Sequence, residues 1–277
     1  MISASEFFSY FSYSYVRYAL LVGVLVALCA SLLGVVLVLK RYSYLGDGLS
    51  HVAFGATALA TAINLSDSLA VVMPVTVAVA ILLLGTGEGK RIGGDAALAM
   101  LSVGSLAIGY ILLNLFPSSS NIAGDVCSSL FGSSSILTLG QRDVLLTVVM
   151  SIVVVAVFVV FYNRIFALTF DPSFMQATGG GAKSFNLILS VLCAVVISLS
   201  MRLVGSLLVS ALIIFPAVCA MSLFRNFRAV MISAAAIGVG CAALGMLLSM
   251  ALGTPTGASI VVCDIAAFAV GRVVRRR

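Results

Sequence analysis

The sequence predicts an all-α protein, a polytopic transmembrane helical bundle of about nine spans, with eight to ten compatible with the pattern. Three observations lead there. The chain of 277 residues is 62% hydrophobic and only 9% charged, whereas a soluble domain carries about 25% charged residues. So few charges cannot cover a water-facing surface. The apolar residues fall into runs near the ~20 needed to cross ~30 Å of hydrocarbon. The 15 Lys and Arg lie almost entirely between those runs, where they set topology and form no phosphate-binding face. The net charge of +6 therefore speaks for lipid surroundings and against nucleic acid. No polar stretch is long enough to fold separately, so residues 1–277 form a single transmembrane domain.

The expected spans follow in order. Tyr18–Leu39 comes first; Arg17 precedes it, and its apolar run of about 22 residues is too long for the core of a cleaved signal. Leu49–Leu65, Leu69–Leu84, Ala96–Phe116 and Val144–Phe161 follow. Leu187–Leu199, Gly205–Leu223, Val230–Leu252 and Ser259–Val274 complete the set. The second, third and sixth are short, which suggests tilted, broken or partly re-entrant segments. Pro216 inside the seventh implies a kink, because proline removes a helix hydrogen bond.

Charge alternates between the loops. Lys40/Arg41, Lys90/Arg91, Arg164/Lys183, Arg225/Arg228 and the terminal arginines fall on one side; Arg17, Arg142 and Arg202 fall on the other. The positive-inside rule puts the first set, and the C-terminus, in the cytoplasm. With nine spans the N-terminus is outside. Phe7–Tyr15, with six aromatics, suits an interfacial belt. Five of six cysteines lie in apolar runs and none shows C-x-x-C spacing, so neither a disulfide framework nor a structural zinc site is expected.

Two connections are longer. Pro117–Arg142 falls outside, and its Leu130-Phe131-Gly132 suggests a short surface helix. Tyr162–Asn186 falls inside and contains Asp171-Pro172 and Gly179-Gly180-Gly181. Asp as N-cap with Pro at the first helical position starts a helix, and glycine stops it. A helix of about two turns is expected there, either docking on a soluble partner or forming part of a solvated linker.

The chemistry concentrates in Leu45-Gly46-Asp47-Gly48-Leu49-Ser50-His51. It places an acid and the single histidine on one helix face, four residues apart. A carboxylate oxygen and an imidazole nitrogen make half a site for zinc or manganese. An ionisable residue at a membrane helix centre costs roughly 2.5–3.5 kcal/mol, which makes it a functional candidate. The plainer reading has Asp47 capping the second span while Ser50 and His51 satisfy bundle hydrogen bonds. Gly46 and Gly48 permit an unwound or closely approached backbone. Ser50, Asp264 and Pro216 are further candidates for a polar pathway. Gly85–Arg91 mimics a phosphate loop but has the wrong spacing, with Arg91 where Ser or Thr is required. No nucleotide site of the chain's own is expected. One histidine also excludes an H-E-x-x-H metalloprotease.

Three ordered motifs resemble the permease subunits of bacterial zinc/manganese ABC importers. Gly46-Asp47-Gly48-Leu49-Ser50-His51 resembles that family's G-D-x-[LI]-S-H signature. Arg202 to Ala217 resembles its R-x-V-G-x-L-L-V-S-A-L-L-I-x-P-A block, and Pro255–Val261 its P-x-G-x-x-I-V segment. The likeness runs from about Arg17 to Val270. It implies a fold similar to vitamin-B12-type importer permeases in a bacterial plasma membrane. It implies a second copy of the chain, a cytoplasmic ABC ATPase and an extracytoplasmic metal-binding protein as partners. It implies no permanently bound cofactor; a divalent metal, zinc or manganese, is the cargo, and Asp47 and His51 are its ligands. Asp171, Phe174, Ala177 and Gly179 match the ATPase-coupling loop, with Met175 and Thr178 where the family pattern has Ala and Leu. The rival expectation is a stand-alone secondary transporter using Asp47, His51 and Asp264 as a relay, though no related halves are evident.

Overall fold

The computed structural model describes residues 13–65, 68–85, 94–116 and 140–275. Eleven helices occupy them. They are α1 (Ser14–Leu39), α2 (Leu45–Ala62), α3 (Leu69–Gly85), α4 (Gly94–Leu115), α5 (Gln141–Val160), α6 (Tyr162–Phe170), α7 (Pro172–Ala177), α8 (Ala182–Val204), α9 (Ser206–Leu223), α10 (Phe227–Leu252) and α11 (Thr256–Arg275). Each of the nine expected apolar runs lies on a helix. Seven helices among the described residues are long and apolar enough to cross a membrane. The other two long ones are α3, a shorter apolar helix, and α2, which at 18 residues spans only about 27 Å. The expected surface helix at Leu130–Gly132, the phosphate-loop mimic at 86–91 and residues 7–12 of the aromatic belt lie outside the described residues.

Helix α1 is the hub. It packs on α5, α8, α9 and α10, and 72% of its membrane-length window is buried. Beyond Arg17 it is apolar on nearly every side, as suits a largely buried membrane-length helix. The same measure is 17% for α4 and 22% for α11, so these sit at the periphery. Small residues set the closest approaches, since lipid tails give apolar side chains no net drive to associate. A Cβ on Gly34 of α1 would lie 2.0 Å from the Ile213 carbonyl oxygen of α9, and one on Gly55 of α2 would lie 2.8 Å from the Ser105 carbonyl of α4. Backbone thus lies against backbone at both crossings. Hydroxyls add directional ties, as between Thr76 of α3 and Ser198 of α8 at 2.6 Å.

The structure corrects two expectations. The sixth span is not short: α8 runs 23 residues, because its first turns carry Lys183, Ser184 and Asn186, polar residues that hydropathy reads as loop. The connection before it also holds an extra helix, α6. The apolar pattern stops at Tyr162-Asn163-Arg164, yet the chain bends only locally at Phe161 (φ −102°, ψ 20°) and resumes a helix with Ile165 and Leu168 buried. Aromatic contacts pin α6. Phe166 and Phe170 pack edge-on against Phe227 at the start of α10, with centroids 5.4 and 5.8 Å away. Arg164 lies 5.1 Å over the Phe185 ring of α8.

If the α1–α9 crossing depends on Gly34, Gly34→Ala has no flexible neighbour to displace. Overpacking of this kind costs about 1–3 kcal/mol, so the purified protein in detergent should show a clearly lower Tm. Gly104→Ala, with nothing within 4 Å, should leave the Tm unchanged or slightly raised.

Candidate metal site and coupling helix

Asp47 lies in the first turn of α2, and the N-cap position is Tyr44. Its carboxylate therefore does not cap the helix, which removes the capping part of the plainer reading. Gly46 and Gly48 do not unwind it either, since α2 is continuous from Leu45 to Ala62. They serve close approach instead. A Cβ on Gly46 would meet Ile213 of α9, and one on Gly48 would meet Leu98 of α4.

Asp47 Oδ1 is 3.4 Å from His51 Nε2, with the Asp47 side chain 41% exposed and that of His51 19%. This separation is long for a hydrogen bond. It is close to the spacing of about 3.3 Å between two ligands that each lie about 2.0–2.1 Å from one tetrahedral ion. A third group joins from α9: the Ser210 hydroxyl donates to Asp47 Oδ1 at 3.4 Å. The pair is partly open on the Asp47 side. His51 Nδ1 is buried with no hydrogen-bond partner among the described residues. Resident metal sites normally fix the second ring nitrogen with an acceptor. A ring held by Asp47 and packing alone suits an ion that passes through. No group of three or more His, Cys, Asp or Glu side chains able to hold a metal is present among the described residues, so Asp47 and His51 are at most two candidate donors with no closed cage among those residues.

Ser50 is fully buried, and its hydroxyl donates to the Asp47 carbonyl at 2.8 Å. It braces the turn and does not face the pair's open side. Pro216 is buried within α9, six positions or about 9 Å along from Ser210. Asp264 is 1% exposed, and neither of its oxygens has a hydrogen-bond partner among the described residues. Its neighbours are the thiols of Cys241, Cys219 and Cys263. The groups acting on Asp47 are His51 and Ser210. The three-residue relay of a secondary transporter is thus not assembled. Ser210 is the site residue that sequence reasoning left unassigned; its signal was a serine four residues after Ser206 in an otherwise apolar span.

The short helix expected after Asp171 forms as its sequence predicts. Asp171 caps α7, with its Oδ1 accepting from the Phe174 N–H at 2.8 Å and from the Ser173 hydroxyl at 2.8 Å. Pro172 takes the first position. The Phe174 N–H, then Ser173, holds the Asp171 carboxyl below its ordinary value. The sign is that of a depressed acid: the cap is intact above the usual carboxylate range and is lost only as pH falls through the lowered value. The helix ends in a Schellman motif, with Gly180 N–H donating to the Met175 carbonyl at 2.9 Å and Gly179 N–H to that of Gln176 at 3.2 Å. Gly179 has φ +71°, a conformation that favours glycine. Phe174 is 61% exposed, whereas Met175 is 3% exposed and packs with Leu168, Ala182 and Phe185. Methionine at 175 is therefore the anchor that seats α7 on the bundle, leaving Phe174 and Ala177 facing outward.

Two outcomes test these geometries. Asp171→Ala should accelerate hydrogen–deuterium exchange across α7, while Asp171→Asn, which keeps a capping oxygen, should not. In competition with a chromophoric chelator, Ser210→Ala should weaken zinc binding about 10-fold, in line with the loss of a group that orients a ligand. Asp47→Ala should abolish it.

Known proteins share this arrangement of helices. The family described as "ABC 3 transport family" matches residues 12–275. The "High-affinity zinc uptake system membrane protein ZnuB" of Haemophilus influenzae is 28% identical over 259 residues, covering 94% of this chain and 97% of that protein. The "Manganese transport system membrane protein MntC" of Halalkalibacterium halodurans is 28% identical, covering 93% and 86%. The solved structure of "PsaBC from Streptococcus pneumoniae in complex with Fab" superposes with a TM-score of 0.83 at 23% identity, covering 97% of this chain and 95% of that one; at that identity it speaks for the fold. With a family match that takes in nearly its whole length, this chain belongs to the ABC 3 transport family.

Proposed function

We propose that the chain is the membrane permease subunit of an ATP-driven divalent-metal importer in a bacterial plasma membrane, with zinc as first choice and manganese or iron as the other candidates. The observation that carries this reading is the Asp47–His51 pair, half open on a membrane-length bundle and set at a chelating distance. A carboxylate turned to lipid is costly, so the open side of Asp47 faces a pathway or a second copy of the chain. A homodimer places two such pairs across a two-fold axis and supplies up to four ligands in one conformation.

The mechanism follows from ligand number. An extracytoplasmic metal-binding protein delivers the ion. Asp47 brings negative charge and His51 a neutral nitrogen as the ion sheds water. When the two protomers move apart, each pair alone is a two-ligand site, weak enough to release the ion. The sequence carries no complete phosphate loop, so hydrolysis belongs to a cytoplasmic ABC ATPase. That partner engages the outward face of α7 at Phe174 and Ala177. The C-terminus, with its arginines, lies on the same cytoplasmic side.

The test is elemental mass spectrometry of cells that lack their own zinc and manganese importers and express this chain with its ATPase and binding protein. Accumulation of a divalent metal is expected. Asp47→Ala and His51→Ala should each reduce it at least about 10-fold, as loss of a ligand does. Wild-type accumulation in either variant would contradict the ligand assignment.

A further inference from the structure

One end of the bundle holds a polar junction that the site and α7 do not account for. Asn186, in the second turn of α8, uses both ends of its side-chain amide. Its Oδ1 accepts from Lys40 Nζ at 2.8 Å, and its Nδ2 donates to the Leu84 carbonyl. Lys40 is the residue that closes α1, and Leu84 lies in the last turn of α3. The last carbonyls of a helix have no partner within it, so Asn186 satisfies one of α3 while binding the end of α1. Three helices thus meet on one side chain, with Lys40 and Leu84 lying 146 and 102 positions from Asn186 in sequence.

The junction also sits between α7 and the metal pair. Its neighbour in the chain, Phe185, packs with Ala182, Leu168 and Met175, the contacts that seat α7. On the other side, Lys40 leads into a tight turn. Tyr42 N–H donates to the Leu37 carbonyl at 2.8 Å, and Leu45 N–H to that of Tyr42 at 3.0 Å. Arg41 takes φ +63°, a left-handed conformation that costs a non-glycine residue free energy and persists only where the surroundings enforce it. Helix α2 begins at Leu45 with Asp47 in its first turn. Contacts therefore run from Met175 through Phe185 and its chain neighbour Asn186 to Lys40, and the chain itself carries on through the turn to Asp47.

We propose that the Lys40–Asn186 bond is a positioning link, through which displacement of α7 moves the start of α2 and so the Asp47–His51 pair. The proposal rests on the importer reading above. A charge-assisted hydrogen bond is short and directional, so it transmits a displacement that sliding apolar contacts would absorb. A contiguous path is not itself coupling, which makes the ratio of transport to hydrolysis the deciding quantity.

The complete complex of this chain, its ATPase and the binding protein is reconstituted in liposomes. Zinc uptake and ATP hydrolysis are measured in the same vesicles. Lys40→Met and Asn186→Leu should leave hydrolysis within about twofold and lower the ions moved per ATP about 10-fold or more, a usual size for a lost coupling term. Lys40→Arg keeps a donor and should restore at least half of the ratio. An unchanged ratio in both variants would overturn the proposal. So would parallel loss of hydrolysis and uptake, or failure of the variant complexes to assemble, because the junction is then only a structural clamp. If the wild-type complex shows no ATP-driven uptake, the importer reading fails first and takes this link with it.

Discussion

The structure turns on the placement of one carboxylate. Hydrocarbon tolerates an acid only where the fold gives it something to meet, and Asp47 meets His51 and Ser210. That meeting depends on a backbone contact made elsewhere. Gly34 lets α9 lie directly against α1, which brings Ser210 to the level of Asp47 and Ile213 against Gly46. A single methyl group at 34 would push α9 off this seat. The Asp47–His51 pair is thus carried by α2 but positioned by α1 and α9, whose membrane-length windows are 72% and 56% buried.

The two membrane-embedded acids show what environment does to one side-chain type. Asp47 is partly open and has a nitrogen and a hydroxyl within 3.4 Å. Asp264 is closed off among three helices, 1% exposed and beside the Cys241 thiol. The first is open on one side. The second has no opening of its own, and its neighbours do not include His51. Counting acids in apolar runs ranks them equally; only the packing of α9, α10 and α11 separates them.

Much of this was legible in the sequence because it rests on local rules. Apolar runs located the nine long helices, and the i, i+4 spacing of Asp47 and His51 placed both on one face. Asp171-Pro172 and the three glycines marked both ends of α7. What stayed hidden depends on contacts distant in sequence. Helix α6 is nine residues long and is held by Phe227, 57 positions beyond its last aromatic. The start of α8 reads as loop because Lys183 and Asn186 are polar, yet Asn186 is used inside the bundle. Ser210 looks like any small residue in an apolar span until α2 is laid beside it. Met175 reads as a departure from the family pattern, and the structure explains it as the buried anchor of the helix.

The central claim is that Asp47 and His51 hold the cargo. Its most direct measurement is cryo-electron microscopy of the complete complex trapped with zinc in a non-hydrolysing state, with Asp47→Asn alongside. The account predicts a metal density on or near the two-fold axis, bounded by the Asp47 carboxylate and His51 Nε2 at ordinary zinc–ligand distances of about 2.0–2.2 Å, and absent in the variant. A density ligated elsewhere, such as by Asp264 and Cys241, or one that survives unchanged in the variant, would contradict it.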